Sequence, residues 1–182
     1  EERWARTRPD GKVDVKLLVG ATAEAERELW RHLCDIDWIT SVVAGNRGVE
    51  DPLPHFLVDA RAATQVDVFD CIWARVLDVP SVLGARRSAL PGRVVVEVAD
   101  DLGYAAGSWW VDRGPDGADV AATTADAEVH LSASALGALA FGGTSATRLR
   151  DAGHLVEAAD GAVGRLDQLL RATPAPWSPT TY

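Results

Sequence analysis

The chain has 182 residues, 47% of them hydrophobic, and a net charge of -9 at neutral pH. That length supports one sizeable core or two small ones. The acidic balance argues against a nucleic-acid partner and makes a cationic ligand easier to accommodate than an anionic one, and no apolar run approaches the ~20 residues of a membrane span. The chain opens Glu1-Glu2-Arg3-Trp4 and contains no Met, so it is expected to be a fragment of a longer protein.

From Lys12 to Gly20 the alternation of Val13, Val15 and Leu17 predicts a strand with one buried face. Thr22 is the expected N-cap of the next helix, with Glu24 and Glu26 in its first turn and Ala25, Leu29 and Leu33 as its apolar stripe, flanked by Trp30 and Ile36. The β-branched run from Trp38 to Ala44 predicts a second strand, and strand, helix, strand with short connections predicts a parallel β-α-β unit. Residues 45–64 read as a loop rich in Gly and Pro with one short helix over 53–59. Val66 to Leu77 predicts a strand with Val68, Cys71, Trp73 and Val76 pointing inward. Asp78 then caps a helix over 79–87. Strands follow at 93–99, 107–113, 119–123 and 128–132, with a Gly114-Pro115-Asp116-Gly117 turn inside the run. Helices are expected from Ser134 to Gly142-Gly143, over 144–150 and over 162–172. The fold class is thus a partial α/β unit followed by an α+β half in which helices cover an antiparallel sheet.

Little in this order carries chemistry. Ser132, Ser134 and Ser145 lie in no G-x-S-x-G elbow. Gly142-Gly143-Thr144-Ser145 could hold an anion but lacks the spacing and Lys of a P-loop, and reads as a C-cap running into an N-cap. Asp100-Asp101 reads as a solvated turn, and Asp51-Pro52-Leu53-Pro54-His55 as a rigid connector. His32, His55, His130 and His154 are scattered, so no metal is expected. Cys34 and Cys71 read as buried free thiols. Trp109 and Trp110 must face opposite sides of their strand, one toward the core and one toward a second surface. The ending is distinctive: Pro174, Pro176 and Pro179 around Trp177 make a stiff, anchored tail where chain ends ordinarily fray.

The segments DCIWARVLDVPSVLGARR, VVVEVADDLGYAAGSWWVDRGPDG and SALGALAFGGTSATRLRDAGHL, the ending APWSPTTY, and ELWRHLCDIDWITSVVAGNRGVEDPLPHFLVD upstream together resemble the C-terminal region of the enhanced intracellular survival (Eis) family of GNAT-type N-acetyltransferases. The resemblance implies that residues 1–65 are the second half of a middle, non-catalytic GNAT domain and residues 66–182 a domain similar to sterol carrier protein 2. It implies transfer of acetyl from acetyl-CoA, as co-substrate, to amines such as aminoglycosides or protein lysines, by a homo-hexamer. The expected location is cytoplasmic, with secretion left open.

In that family the C-terminal carboxylate acts as general base in the active site of the N-terminal domain, so the resemblance assigns this role to Tyr182. Thr181, at the penultimate place where many members carry an acid, becomes the substrate-binding candidate, and Pro174, Pro176, Trp177 and Pro179 the tail anchor. The resemblance implies that the N-terminal part of the same protein binds acetyl-CoA, and the first β-α-β here has no R/Q-x-x-G-x-G/A loop. This chain alone is expected to be inactive. Two other readings are a lipid-binding module of the sterol-carrier kind and a purely architectural oligomerisation domain.

Overall fold

Helix α1 (Ala23–Cys34) starts where the sequence supplies its cap: the Thr22 hydroxyl oxygen accepts from the Ala25 amide at 3.1 Å, and Glu24 and Glu26 fill the first turn. The computed structural model describes residues 4–5 and 8–180. Two short strands, β1 (Trp4–Ala5) and β2 (Arg8–Pro9), pair antiparallel. Strand β3 (Gly11–Val15) and β4 (Ile39–Ala44) flank α1 and pair in parallel, the β-α-β unit that the pattern predicts. The β3 ladder ends at Val15, five residues short of the predicted boundary. In α1 the buried residue is Trp30, at the flank of the predicted stripe, whereas Leu29 at its centre is 42% exposed. Helix α2 (Leu53–Phe56) and a 3-10 turn (Ala60–Ala62) follow.

The chain forms two units, one running to Cys71 and regaining the chain from Trp177 onward, the other Ile72–Pro176. In the second unit five strands lie in the order β7-β6-β5-β8-β9. They are β5 (Gly92–Ala99), β6 (Gly107–Gly114), β7 (Gly117–Ala122), β8 (Val129–Ser132) and β9 (Leu155–Glu157). Pairing is antiparallel except between β5 and β8, where Val96 faces Val129 in a parallel ladder. The expected antiparallel sheet is therefore mixed. The chain leaves β7 at one edge and re-enters beyond β5, and such a crossing returns β8 in the direction of β5. Glu128 fixes that entry: its amide donates to the Val95 carbonyl and its carboxylate accepts from the Val95 amide, both at 2.9 Å.

The sheet's inner face carries Val94, Val96, Val98, Val111, Val129 and Leu131, all buried against Leu83 of α3 (Val79–Gly84), Leu136 and Leu139 of α4 (Ala133–Ala140) and Leu166 and Leu170 of α6 (Ala162–Leu170). Period-two alternation on the strands and three-to-four spacing on the helices make this one core. Arg113 also lies within it, 2% exposed, on the inward register of Trp109 and Val111. Its guanidinium donates to the carbonyls of Leu169, at 2.8 Å, and Leu83, near the C-terminal ends of α6 and α3. Burial, aided by the nearby Arg86 charge, brings its pKa down to about 10. The outer face holds Arg93, Trp110 and Asp112: the Arg93 guanidinium carbon sits 4.0 Å from the Trp110 ring centroid and its Nη2 3.0 Å from Asp112. Trp109, on the inner side, donates its indole N–H to the Ala105 carbonyl at 2.9 Å.

Three expectations fail, in the linking segment, at the two cysteines and in α3. Residues 64–76 form no strand, and of the four residues predicted inward only Val76 is buried, while Val68 and Trp73 are exposed. A strand needs a neighbour for its amides and carbonyls, and no ladder partner for this run occurs among the described residues. Cys34 and Cys71 are free but exposed rather than buried. The helix predicted over 79–87 stops at Gly84, although the Asp78 cap holds, with Oδ1 accepting from the Ser81 amide at 2.8 Å.

Asp100 organises the β5–β6 connection. Its carboxylate accepts from the amides of Leu102 (3.0 Å) and Ala105 (2.8 Å) and pairs with Arg75, while Asp101 is exposed. The Ala105 amide, followed by the Leu102 amide and Arg75, holds its pKa below the ordinary carboxylate range against the opposing pull of desolvation. A lowered folded pKa gives stability that is present above the unfolded value of ~3.9 and is lost as pH falls through the folded one. Asp100→Asn should therefore lower the thermal midpoint near neutrality, and the gap to wild type should close below about pH 4. Melting curves between pH 3 and 7 check this, and a gap that persists unchanged into acid would refute it.

Candidate functional site

The loop after β4 meets the tail at Trp177 and Pro179. Gly45 closes on β3 through its amide to the Val15 carbonyl at 3.4 Å, and Asn46 adopts a left-handed backbone (φ 51°), which Asn tolerates better than most residues. That turn directs the Asn46 side-chain amide to the Pro179 carbonyl, 3.2 Å away. Arg47 follows and is largely enclosed. Its Nη1 donates to the Leu18 carbonyl and its Nε to Asp51, both at 2.5 Å, and Nη2 pairs with Glu26. Its guanidinium carbon lies 5.8 Å from the ring centroids of both Trp30 and Trp177, within cation-π reach. Burial is the largest influence on Arg47 and pulls its pKa down, but Asp51 and Glu26 together outweigh it and leave it raised.

Gly48 supplies the seat itself. A Cβ there would lie 3.3 Å from Trp177 Cδ1, so the absence of a side chain lets the indole approach the backbone. Beyond Trp177 the tail turns on itself: the Ser178 hydroxyl donates to the Thr180 carbonyl at 2.8 Å, and the Thr180 amide returns to Ser178 Oγ at 3.3 Å. The stretch before it belongs to the other unit. Ala175 is buried there, Pro176 packs against Gly143, and Pro174, which follows a cis peptide, is exposed. Tyr182 and Thr181 lie outside the described residues.

The other sequence candidates take structural roles. The stretch Gly142–Ser145 is a C-cap followed by an N-cap. The anion at the start of α5 (Ala146–Asp151) is the protein's own Asp167, whose carboxylate accepts from Ala146 and from the amide and hydroxyl of Thr147, at 3.2 and 2.6 Å. Asp51 serves Arg47 and the Leu53 amide rather than His55. His130 meets Glu97 at 2.6 Å on the outer face of the sheet, beside a shallow concavity of about 420 Å³ that includes His154. No cluster of three or more His, Cys, Asp or Glu with metal-binding geometry occurs among the described residues. Sequence reasoning picked out the tail but missed Asn46, Arg47, Gly48 and Ala175; the Asn-Arg-Gly turn was the available signal.

Acetyl-CoA does not fit the described residues. The connection from β3 to α1 lacks a glycine-rich cradle, and the N-terminus of α1, where a GNAT-type pyrophosphate would need positive polarity, carries Glu24 and Glu26 instead.

Residues 2–76 match the acetyltransferase (GNAT) domain model and residues 79–179 the sterol carrier protein domain model. An uncharacterized N-acetyltransferase of Streptomyces avermitilis is 41% identical over the whole chain, which covers 44% of that relative. The N-acetyltransferase Eis of Mycobacterium tuberculosis is 32% identical, over 91% of the chain and 44% of the relative. Among solved structures, Eis1 from Mycobacterium abscessus superposes with a TM-score of 0.85 at 32% identity, over 94% of this chain and 43% of that one. The chain thus spans less than half the length of these relatives. It belongs to the sterol carrier protein domain family over residues 79–179, and residues 2–76 ahead of that domain are similar to the acetyltransferase (GNAT) domain.

Proposed function

We propose that this chain serves an acetyl-CoA-dependent N-acetyltransferase acting on amines, such as aminoglycosides or protein lysines, by supplying the Tyr182 carboxylate as general base. Residues 1–65 act as the second half of a non-catalytic GNAT domain and residues 66–182 as the sterol-carrier-like domain, within a cytoplasmic homo-hexamer. The observation that supports this reading most is the seating of Trp177 and Pro179 by Asn46, Arg47 and Gly48, which gives the last residues a fixed point of departure.

The chemistry asks for such a group. An ammonium ion cannot attack a thioester, and a carboxylate both attracts the cation and takes its proton. With a reference pKa of ~3.5, an α-carboxylate becomes a stronger base when partly desolvated. Thr181, beside it, contributes a hydroxyl to the substrate. Acetyl-CoA is held by residues outside this chain, in keeping with the acidic first turn of α1. A one-residue extension after Tyr182 in the full-length protein tests the assignment. Acetyl transfer should fall on the order of 10²-fold, and an unchanged rate would remove the terminal carboxylate from the reaction.

A further inference from the structure

A catalytic group at the very end of a chain is useful only if the preceding residues hold one path, because the freedom of an untethered end spreads it over many positions. The described contacts place the last tether at Pro179, whose carbonyl accepts from Asn46. Tyr182 stands three residues beyond it, a reach of about 10 Å when extended. Without the Trp177 and Pro179 contacts, the next tether back along the chain is Pro176, packed against Gly143, six residues before Tyr182.

We propose that Asn46 and Arg47 are positioning residues for the terminal carboxylate, Asn46 by holding the Pro179 carbonyl and Arg47 by presenting its guanidinium to the Trp177 indole. This rests on the reading that the Tyr182 carboxylate is the base. Arg47 suits the task because four groups fix it: Glu26 from α1, Asp51 and the Leu18 carbonyl from flanking loops, and the Trp30 ring. Its fork therefore does not depend on the tail for its own placement. A Lys here would keep the charge and lose the simultaneous donations to Glu26, Asp51 and the Leu18 carbonyl. Asn46 does two separable things: its backbone takes the left-handed turn and its side chain reaches the tail.

Two substitutions in the full-length protein separate positioning from folding. Asn46→Gly keeps the turn and removes the amide, and Arg47→Lys keeps a cation between Glu26 and Asp51. Lengthening the free end from three to six residues dilutes it about threefold, and lost orientation brings the expected fall in kcat/KM for neomycin to on the order of tenfold. The KM for acetyl-CoA should not move. In a protein already extended past Tyr182, the same substitutions should cause no further loss, because the group that they position is already misplaced. Wild-type rates in Asn46→Gly and Arg47→Lys, with the extension still damaging, would overturn the positioning role and leave the base in place. A loss of the same size in extended and unextended protein would overturn it too, by showing a general structural effect. If the extension itself is harmless, the base reading fails first and this proposal fails with it.

Discussion

Replacing Gly142 by Ala should destabilise the second unit by about 2–5 kcal/mol. Gly142 ends α4 with φ at +79°, a left-handed conformation that costs an L-residue about 1–2 kcal/mol. A Cβ built there would also lie 2.4 Å from the Ala172 amide nitrogen and 2.5 Å from the Leu170 carbonyl oxygen. Both are backbone atoms at the end of α6, so neither can swing aside, and overpacking of this kind adds about 1–3 kcal/mol. The Ala172 amide donates to the Gly142 carbonyl at 3.1 Å, so relief of the clash would break the bond that joins the two helix ends. A shift of α6 would in turn disturb Asp167, which caps α5. Gly103 is an internal control, with nearly the same φ of +78° and nothing within 4 Å of a built Cβ. Gly103→Ala should show the conformational cost alone, about 1–2 kcal/mol. Urea denaturation of both variants decides the point: equal losses would mean that the close approach at Gly142 carries no energy.

The parts of this structure that were legible in the sequence are those set within a few residues. The caps at Thr22 and Asp78, the Gly114–Gly117 turn and the Gly142 stop each depend on partners close along the chain, and they stand where the pattern puts them. The segment from Val66 to Leu77 shows the limit. Its alternation has the period of a strand, but pairing is a property of two segments, and no second one is present among the described residues. The parallel β5–β8 pairing escaped for a related reason, since strand direction follows from where the chain crosses, not from local residue preferences. Arg113 was legible in principle, because it shares the inward register of Val111, but nothing local shows that two helix ends await it. The tail was conspicuous through its prolines and Trp177, whereas its receptors were not: Asn46 and Pro179 are 133 residues apart.

A full-length protein ending in Tyr182 α-carboxamide should lose on the order of 10²- to 10⁴-fold in kcat/KM for the amine, the range expected for loss of a general base. The amide keeps the length, the phenol and every seated contact from Trp177 to Thr180, and it removes only the charge and the proton acceptor. The pH dependence gives a second reading. A carboxylate base works only when ionised, so wild-type kcat/KM should fall as pH drops through the pKa of the terminal group. In the amide that limb should vanish. The rate should then follow the fraction of free amine alone, rising about tenfold per pH unit until the amine's own pKa is reached. The one-residue extension differs, since it keeps the charge and displaces it by about 3.5 Å. If both variants fall, position and basicity are both required of the terminal carboxylate. A loss confined to the amide would make the group an electrostatic attractor that tolerates displacement, and an amide with wild-type rate and an intact acidic limb would assign the proton transfer to another residue.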